Sequence, residues 1–249
     1  MSSSDFDRRL SRISTLWSLV SEAHHEAGDE VAAAQRQLLQ RYSGAIRRYL
    51  RGALRDADAA EDLFQDFACR FIRGDLRRAD PERGRFRDYV KGVLFHLIAD
   101  YHKKRQRLPR QMAAEHPDPA VVCAPDADRE RDFLASWRDE LLTRTWTTLA
   151  AADQANNQYF HAVLRFRADH PEIHSHEMAA QLSALLGKPL TAAGVRKVLE
   201  RARARFADLL LDEIAQTLTN PTPDQLEEEL IDLHLLEHCR SALERRRGG

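Results

Sequence analysis

The sequence predicts an all-α protein: two helical domains joined by a flexible linker. Three observations carry this. Ala, Leu and Arg are frequent among the 249 residues while Gly and Pro number 10 and 9, a balance that favours helix. Apolar residues recur every three or four positions over long stretches, and no useful length alternates with period two. One proline-rich interval, LPRQMAAEHPDPAVVCAPDADRE, breaks the helical pattern near the middle.

The elements follow in order. Phe6, Leu10, Ile13, Trp17 and Val20 predict a first helix capped at Ser4, interrupted by EAGDE at 26–30. A second helix is expected over 31–54, with Leu38, Leu39, Tyr42, Ile46, Tyr49 and Leu50 inside. AAEDLFQDFACRFI, residues 59–72, is the third. Its stripe of Phe64, Phe67, Phe71 and Ile72 opposes a face of Glu61, Asp62, Gln65 and Asp66. RGDLRRADPERGRF reads as a loop, and 86–105 as a fourth helix burying Tyr89, Val90, Val93, Leu94, Leu97 and Ile98. Further helices are expected over 131–151, 156–169, 175–186 and 191–218, with one more from about Gln225 after NPTPD. The predicted organisation is a domain over 1–107, a linker over 108–128, a second domain over 129–218 and a helical extension over 219–249.

Cys69, Cys123 and Cys239 form no close pair and no metal spacing, which predicts a reduced, cytoplasmic setting. MSSSDFDRRLSRISTLW has no long apolar run, so neither signal peptide nor membrane insertion is expected.

Net charge is only −1, so its distribution matters more than its total. Residues 70–110 hold thirteen Lys or Arg against five Asp or Glu, a local net of +8. Residues 51–69 hold two Arg against five acids, a net of −3. Two ordinary solvated faces would look like this. So would a domain touching a basic protein surface on one side and nucleic-acid phosphate on the other.

HEMAAQLSALLGKPLTAAGVRKVLERARARF reads as a helix-turn-helix. Met178, Ala179, Leu182 and Leu185 form the buried side of its first helix. Gly187 fits a C-cap, Pro189 prevents continuation and Thr191 fits an N-cap. With Val195, Val198, Leu199 and Ala202 inward, Ala192, Ala193, Arg196, Lys197, Glu200 and Arg203 are left for a major groove. A plain helical hairpin with a basic face remains the alternative.

Enzymatic patterns are weak. HLLEH at 234–238 has two His and a Glu on adjacent helical turns but lacks a downstream third ligand. HPEIHSHE at 170–177 clusters His without a familiar fourth ligand. No Gly-rich phosphate loop or nucleophile context occurs, so no catalytic residue, metal or cofactor is expected.

In this order, "TLWSLV … LLQRY … AEDLFQDF … ADPERGRFRDYV … VRKVLERARARFADLLLDEIAQTL" resembles bacterial RNA polymerase sigma factors of the extracytoplasmic-function class, from about Thr15 to Leu236. The resemblance implies region 2 and region 4 domains in a non-enzymatic polymerase subunit that directs promoter recognition and transcription initiation. It assigns Glu61, Asp62, Gln65 and Asp66 to a coiled coil in the clamp of RNA polymerase core. It assigns the fourth helix to the opened promoter, with Phe86, Tyr89 and His96 for stacking or wedging against bases. Arg85, Arg87, Lys91, Lys103, Lys104, Arg105 and Arg107 would meet phosphate, and Thr191 to Arg203 would read the upstream element of promoter DNA. Tyr89 and Phe86 also fit the core. Between Ala179 and Thr191, around SALLGKP, the chain has about three residues more than the family pattern, which lengthens either the first helix of the helix-turn-helix or the turn. An anti-sigma factor, a kinase or the chain's own tail are the regulators such a protein would have. A stand-alone helix-turn-helix regulator and a DNA-acting enzyme using Asp62 and Asp66 with a divalent metal are the competing readings.

Overall fold

A computed structural model describes residues 29–73, 85–107, 126–218 and 221–248. The expected helix over 6–20 lies outside them, as do most of the expected linker and Cys123. Among the described residues the structure is helical: α1 (Asp29–Leu54), α2 (Ala57–Arg73), α3 (Phe86–Arg107), α4 (Asp126–Asn156), α5 (Phe160–Asp169), α6 (Ser175–Leu186), α7 (Ala192–Ala215), α8 (Pro223–Asp232) and α9 (Leu236–Arg247). None of them is long and apolar enough to cross a membrane.

The chain divides into two compact units. The first takes the residues up to Glu140 together with 215–222; the second takes 141–214 and 223–249. This differs from the predicted partition, in which 129–140 belong to the second domain. The physical reason is aromatic. Trp137 is fully buried and stacks on Tyr42 with centroids 4.8 Å apart. Phe133 meets Tyr49 edge-on at 5.3 Å. Burial of two such rings outweighs sequence proximity to the next domain.

Within the first unit, α1 and α2 form an antiparallel pair around the stripe Ala60, Phe64, Phe67 and Phe71, all buried. Their connection is short. Arg55 takes the left-handed conformation (φ 51°), and its N–H donates to Arg51 O at 3.0 Å, closing α1. Asp56 Oδ1 then accepts from the N–H groups of Asp58 and Ala59 at 3.1 Å, opening α2. Buried Gln35 donates through Nε2 to Phe71 O at 2.8 Å near the other end of the pair.

The second unit has a small core of Val163, Met178, Ala179, Leu182, Val195 and Leu199. The single expected helix after Gln225 is two helices. His234 (φ 56°) breaks it, with His234 N–H donating to Ile231 O at 3.0 Å and Leu235 N–H to Leu230 O at 2.8 Å. This is a Schellman closure whose left-handed position is taken by His rather than Gly. Leu230, Leu233 and Leu235, all buried, hold it shut.

Candidate polymerase and nucleic-acid interfaces

The acidic face of α2 forms a ridge with two kinds of residue. Asp62 and Gln65 are exposed, and their side chains make no intramolecular hydrogen bond among the described residues. Glu61 and Asp66 are partly covered and already paired. Glu61 accepts a two-pronged bond from Arg47 Nε and Nη2, each at 3.0 Å. The same guanidinium lies 3.7 Å over the Phe64 ring. This bond from Arg47 is the main cause that lowers the Glu61 pKa; desolvation opposes it, and the charges of Arg47 and Arg51 add to it. Asp66 is held by Arg70 one turn on, at 2.8 Å. Arg47 was not legible as part of this face, because it sits on α1 and reaches the ridge only through helix packing.

The α3 helix divides along its length. Its start is core. Phe86 is fully buried, 5.5 Å from Tyr42, 5.9 Å from Phe71 and 6.0 Å from Trp137 between centroids. The expectation that Phe86 stacks or wedges against bases is therefore corrected: packing against the Tyr42, Phe71, Tyr89 and Trp137 rings holds it inside the domain. Arg87, expected on phosphate, is also buried at 3% exposure. Tyr89 is partly covered beside Phe71 and Phe86, and burial raises its phenol pKa. Arg85 forms an isolated antiparallel bridge with Leu218, and Phe86 N–H donates to Thr217 O at 3.2 Å.

Further along α3, Lys91 is occupied by ion pairs with Glu130 at 2.6 Å and Asp88 at 3.5 Å. His96 is exposed, its Nδ1 2.7 Å from Gly92 O. The end of the helix is open and basic. Lys103 and Lys104 are exposed, and Arg105 donates to the Tyr101 hydroxyl at 3.0 Å. Arg107 closes the helix; its side chain lies outside the described part. His102 nearby has its pKa lowered by burial first, then by Arg129 and Arg105.

Residues 38–108 match the family model of Sigma-70 region 2. The chain carries a sigma-70 region 2 domain. No match to a curated protein or to a solved structure was found. The matched span covers most of α1, all of α2 and α3, so the acidic ridge and the basic helix both lie in the region 2 domain.

Beyond the region 2 domain, α6 and α7 form a two-helix unit with a five-residue turn, 187–191. Of SALLGKP, residues 183–186 are the last turn of α6 and only Gly187, Lys188 and Pro189 lie in this turn. Gly187 (φ 62°) ends α6, with its N–H and that of Lys188 directed at Ser183 O. Ser183 Oγ accepts from Leu190 N–H at 2.9 Å, pinning the turn's far side. Thr191 Oγ1 accepts from Gly194 N–H at 3.1 Å and caps α7. Arg196, Lys197 and Arg203 are exposed and unpaired among the described residues; Ala192 is partly covered. Leu185, expected inside, is 67% exposed.

The histidine clusters bring no ligand set together. Among the described residues there is no group of three or more His, Cys, Asp or Glu able to hold a metal ion. His234 of HLLEH lies in the turn between α8 and α9 and His238 lies in α9, so the two are not on one continuous helix. Cys239 is buried, and burial pushes its thiol up to about 12.

Proposed function

We propose that the chain is a sigma factor of the extracytoplasmic-function class, acting in the cytoplasm on RNA polymerase core. The observation that carries this is a region 2 domain whose α2 offers exposed Asp62 and Gln65 while α3 ends in exposed Lys103 and Lys104. Exposed carboxylate and amide acceptors suit Arg and Lys on a clamp coiled coil, where rim charges steer association and fix register. The cationic end of α3 suits the phosphates of a separated promoter strand, and exposed His96 is the ring left free to stack on a base. The α6–turn–α7 pair acts as the helix-turn-helix that reads the upstream duplex through Arg196 and Lys197. The chain contributes binding energy and leaves the chemistry to the polymerase.

Purified protein added to polymerase core should produce promoter-specific run-off transcripts. The double reversal Asp62→Arg with Asp66→Arg should abolish core binding in a pull-down and leave helicity intact. Tight promoter binding by the isolated chain without any core binding would instead identify a stand-alone helix-turn-helix regulator.

A further inference from the structure

The second unit contains a cleft of about 710 Å³ beside the proposed reading helix. Arg196 and Arg203, seven residues apart on α7, line one wall. Two helical turns bring them to the same side, and neither has an intramolecular partner among the described residues. The opposite wall is α9, which contributes His238, Ser241 and Arg245. Arg167 closes one end, fixed by its donation to Pro171 O at 3.0 Å and Ile173 O at 2.7 Å. Ser175, the first residue of α6, stands beside it.

Four guanidinium groups around one space repel one another, and a single carboxylate, Glu200, lines the cleft against them. Other arginines of the same helix are treated differently. Arg246 is bound to Asp212 at 2.7 Å, and Arg247 to Asp224 and Glu227 at 2.8 and 2.6 Å. Arg245 is tied to Asp208 at 2.9 Å yet remains half exposed on the cleft. Thus the α9 arginines are paired to α7 and α8, and the positive excess of the cleft comes from Arg167, Arg196 and Arg203 against the single Glu200. The floor between the walls is Leu199, Ala204, Ala207 and Ala242, small enough on the whole to admit a backbone.

The geometry points to a phosphate-binding cleft in which the C-terminal helix α9 and α7 together grip the sugar-phosphate backbone of duplex DNA next to the major groove read by α7. Arg, Ser and His are the donors that phosphate takes. Arg196 belongs to both surfaces, so duplex engaged by α7 brings a phosphate strand to the cleft mouth. The inference rests on the reading of α7 as a DNA-contacting helix, and it makes α8 and α9 part of the DNA-binding surface.

The test uses the full chain and a labelled promoter duplex, with affinity measured by fluorescence anisotropy over a series of salt concentrations. Ser241 is exposed and without a hydrogen bond among the described residues, so Ser241→Glu places a negative charge in the cleft without disturbing the core. It should weaken binding by about tenfold at low salt and reduce the salt slope by about one. Ser241→Gln should bind as wild type. Arg245→Ala should show the same loss with helicity retained. Wild-type affinity and slope in both Ser241→Glu and Arg245→Ala would overturn the proposal. Inorganic pyrophosphate is the second probe. If it binds wild type and not Ser241→Glu while duplex affinity is unchanged, the cleft serves a free phosphate ligand and the DNA assignment falls. Run-off transcription by the wild-type protein separates the two readings. Run-off present with duplex binding unaffected by both Ser241→Glu and Arg245→Ala sinks the cleft alone. Run-off absent with duplex binding lost in Ser241→Glu sinks the sigma reading alone.

Discussion

At the scale of single residues, Glu61 shows how one carboxylate is drawn in two directions. Sequence spacing placed it on the acidic face with Asp62, Gln65 and Asp66, and the structure keeps it on that side of α2. Yet Arg47 engages both its oxygens, so less of its charge is on offer than of Asp62's. The pairing could not be read from sequence, because Glu61 and Arg47 meet only when α1 and α2 pack. Its sign with pH is definite. The folded pKa of Glu61 lies below the ordinary 4.5, so its contribution is present above that value and lost as pH falls through the folded pKa. Glu61→Gln should therefore lower Tm modestly at neutral pH and leave it unchanged once the pH has fallen through the folded pKa, so that the acid limb of a plot of Tm against pH is flatter than in wild type. An acid limb identical to wild type would show that the Arg47 bond does not form in solution. Phe86 gives the opposite lesson. A helix-start aromatic fits both core and base stacking by pattern, and only the surrounding Tyr42, Phe71 and Trp137 rings decide for core.

At the scale of elements, local chemistry was the better guide. Gly187 and Thr191 mark the end of α6 and the start of α7 because their backbone roles depend on their own residue types. Gly187→Ala puts a Cβ where φ is 62°, which disfavours L-residues by about 1–2 kcal/mol. The substitution should lower the stability of the second unit by that amount, read as faster amide exchange in α6 and α7. It should leave exchange in α1 and α2 unchanged, since there is open space around Gly187 and no clash to propagate. Where the chain used an uncommon residue for the same geometry, the pattern failed. His234 closes α8 in the left-handed conformation, and nothing in its residue type announces a helix end. The start of α4 was misplaced for a related reason: Asp126 and Asp128 looked like the tail of a proline-rich linker, while Phe133 and Trp137 pull the segment into helix by packing.

At the scale of the whole molecule, the partition between units is set by aromatic burial rather than by position along the chain. Trp137, beyond the proline-rich interval, stacks on Tyr42 and packs at a tilt against Phe86 of the region 2 domain. Trp137→Ala should cost about 3–5 kcal/mol. Amide exchange in α1 should rise sharply while α6 keeps its protection; equal loosening of both would contradict the division into units. Residues 215–222 join the first unit differently, through backbone pairing of Thr217 and Leu218 with Arg85 and Phe86. Sequence alone determined that this chain is helical, where most helices run, which faces are acidic or basic, and how the α6–α7 turn closes. Those properties follow from periodicity, caps and charge, all encoded within a few residues. Tertiary structure decided that Phe86 and Arg87 are interior, that Glu61 is spoken for by Arg47, that residues 126–140 belong to the first unit, and that α9 faces α7 across a positive cleft. Each depends on which distant side chains share a neighbourhood, and burial in a close-packed interior settles that only once the elements have come together.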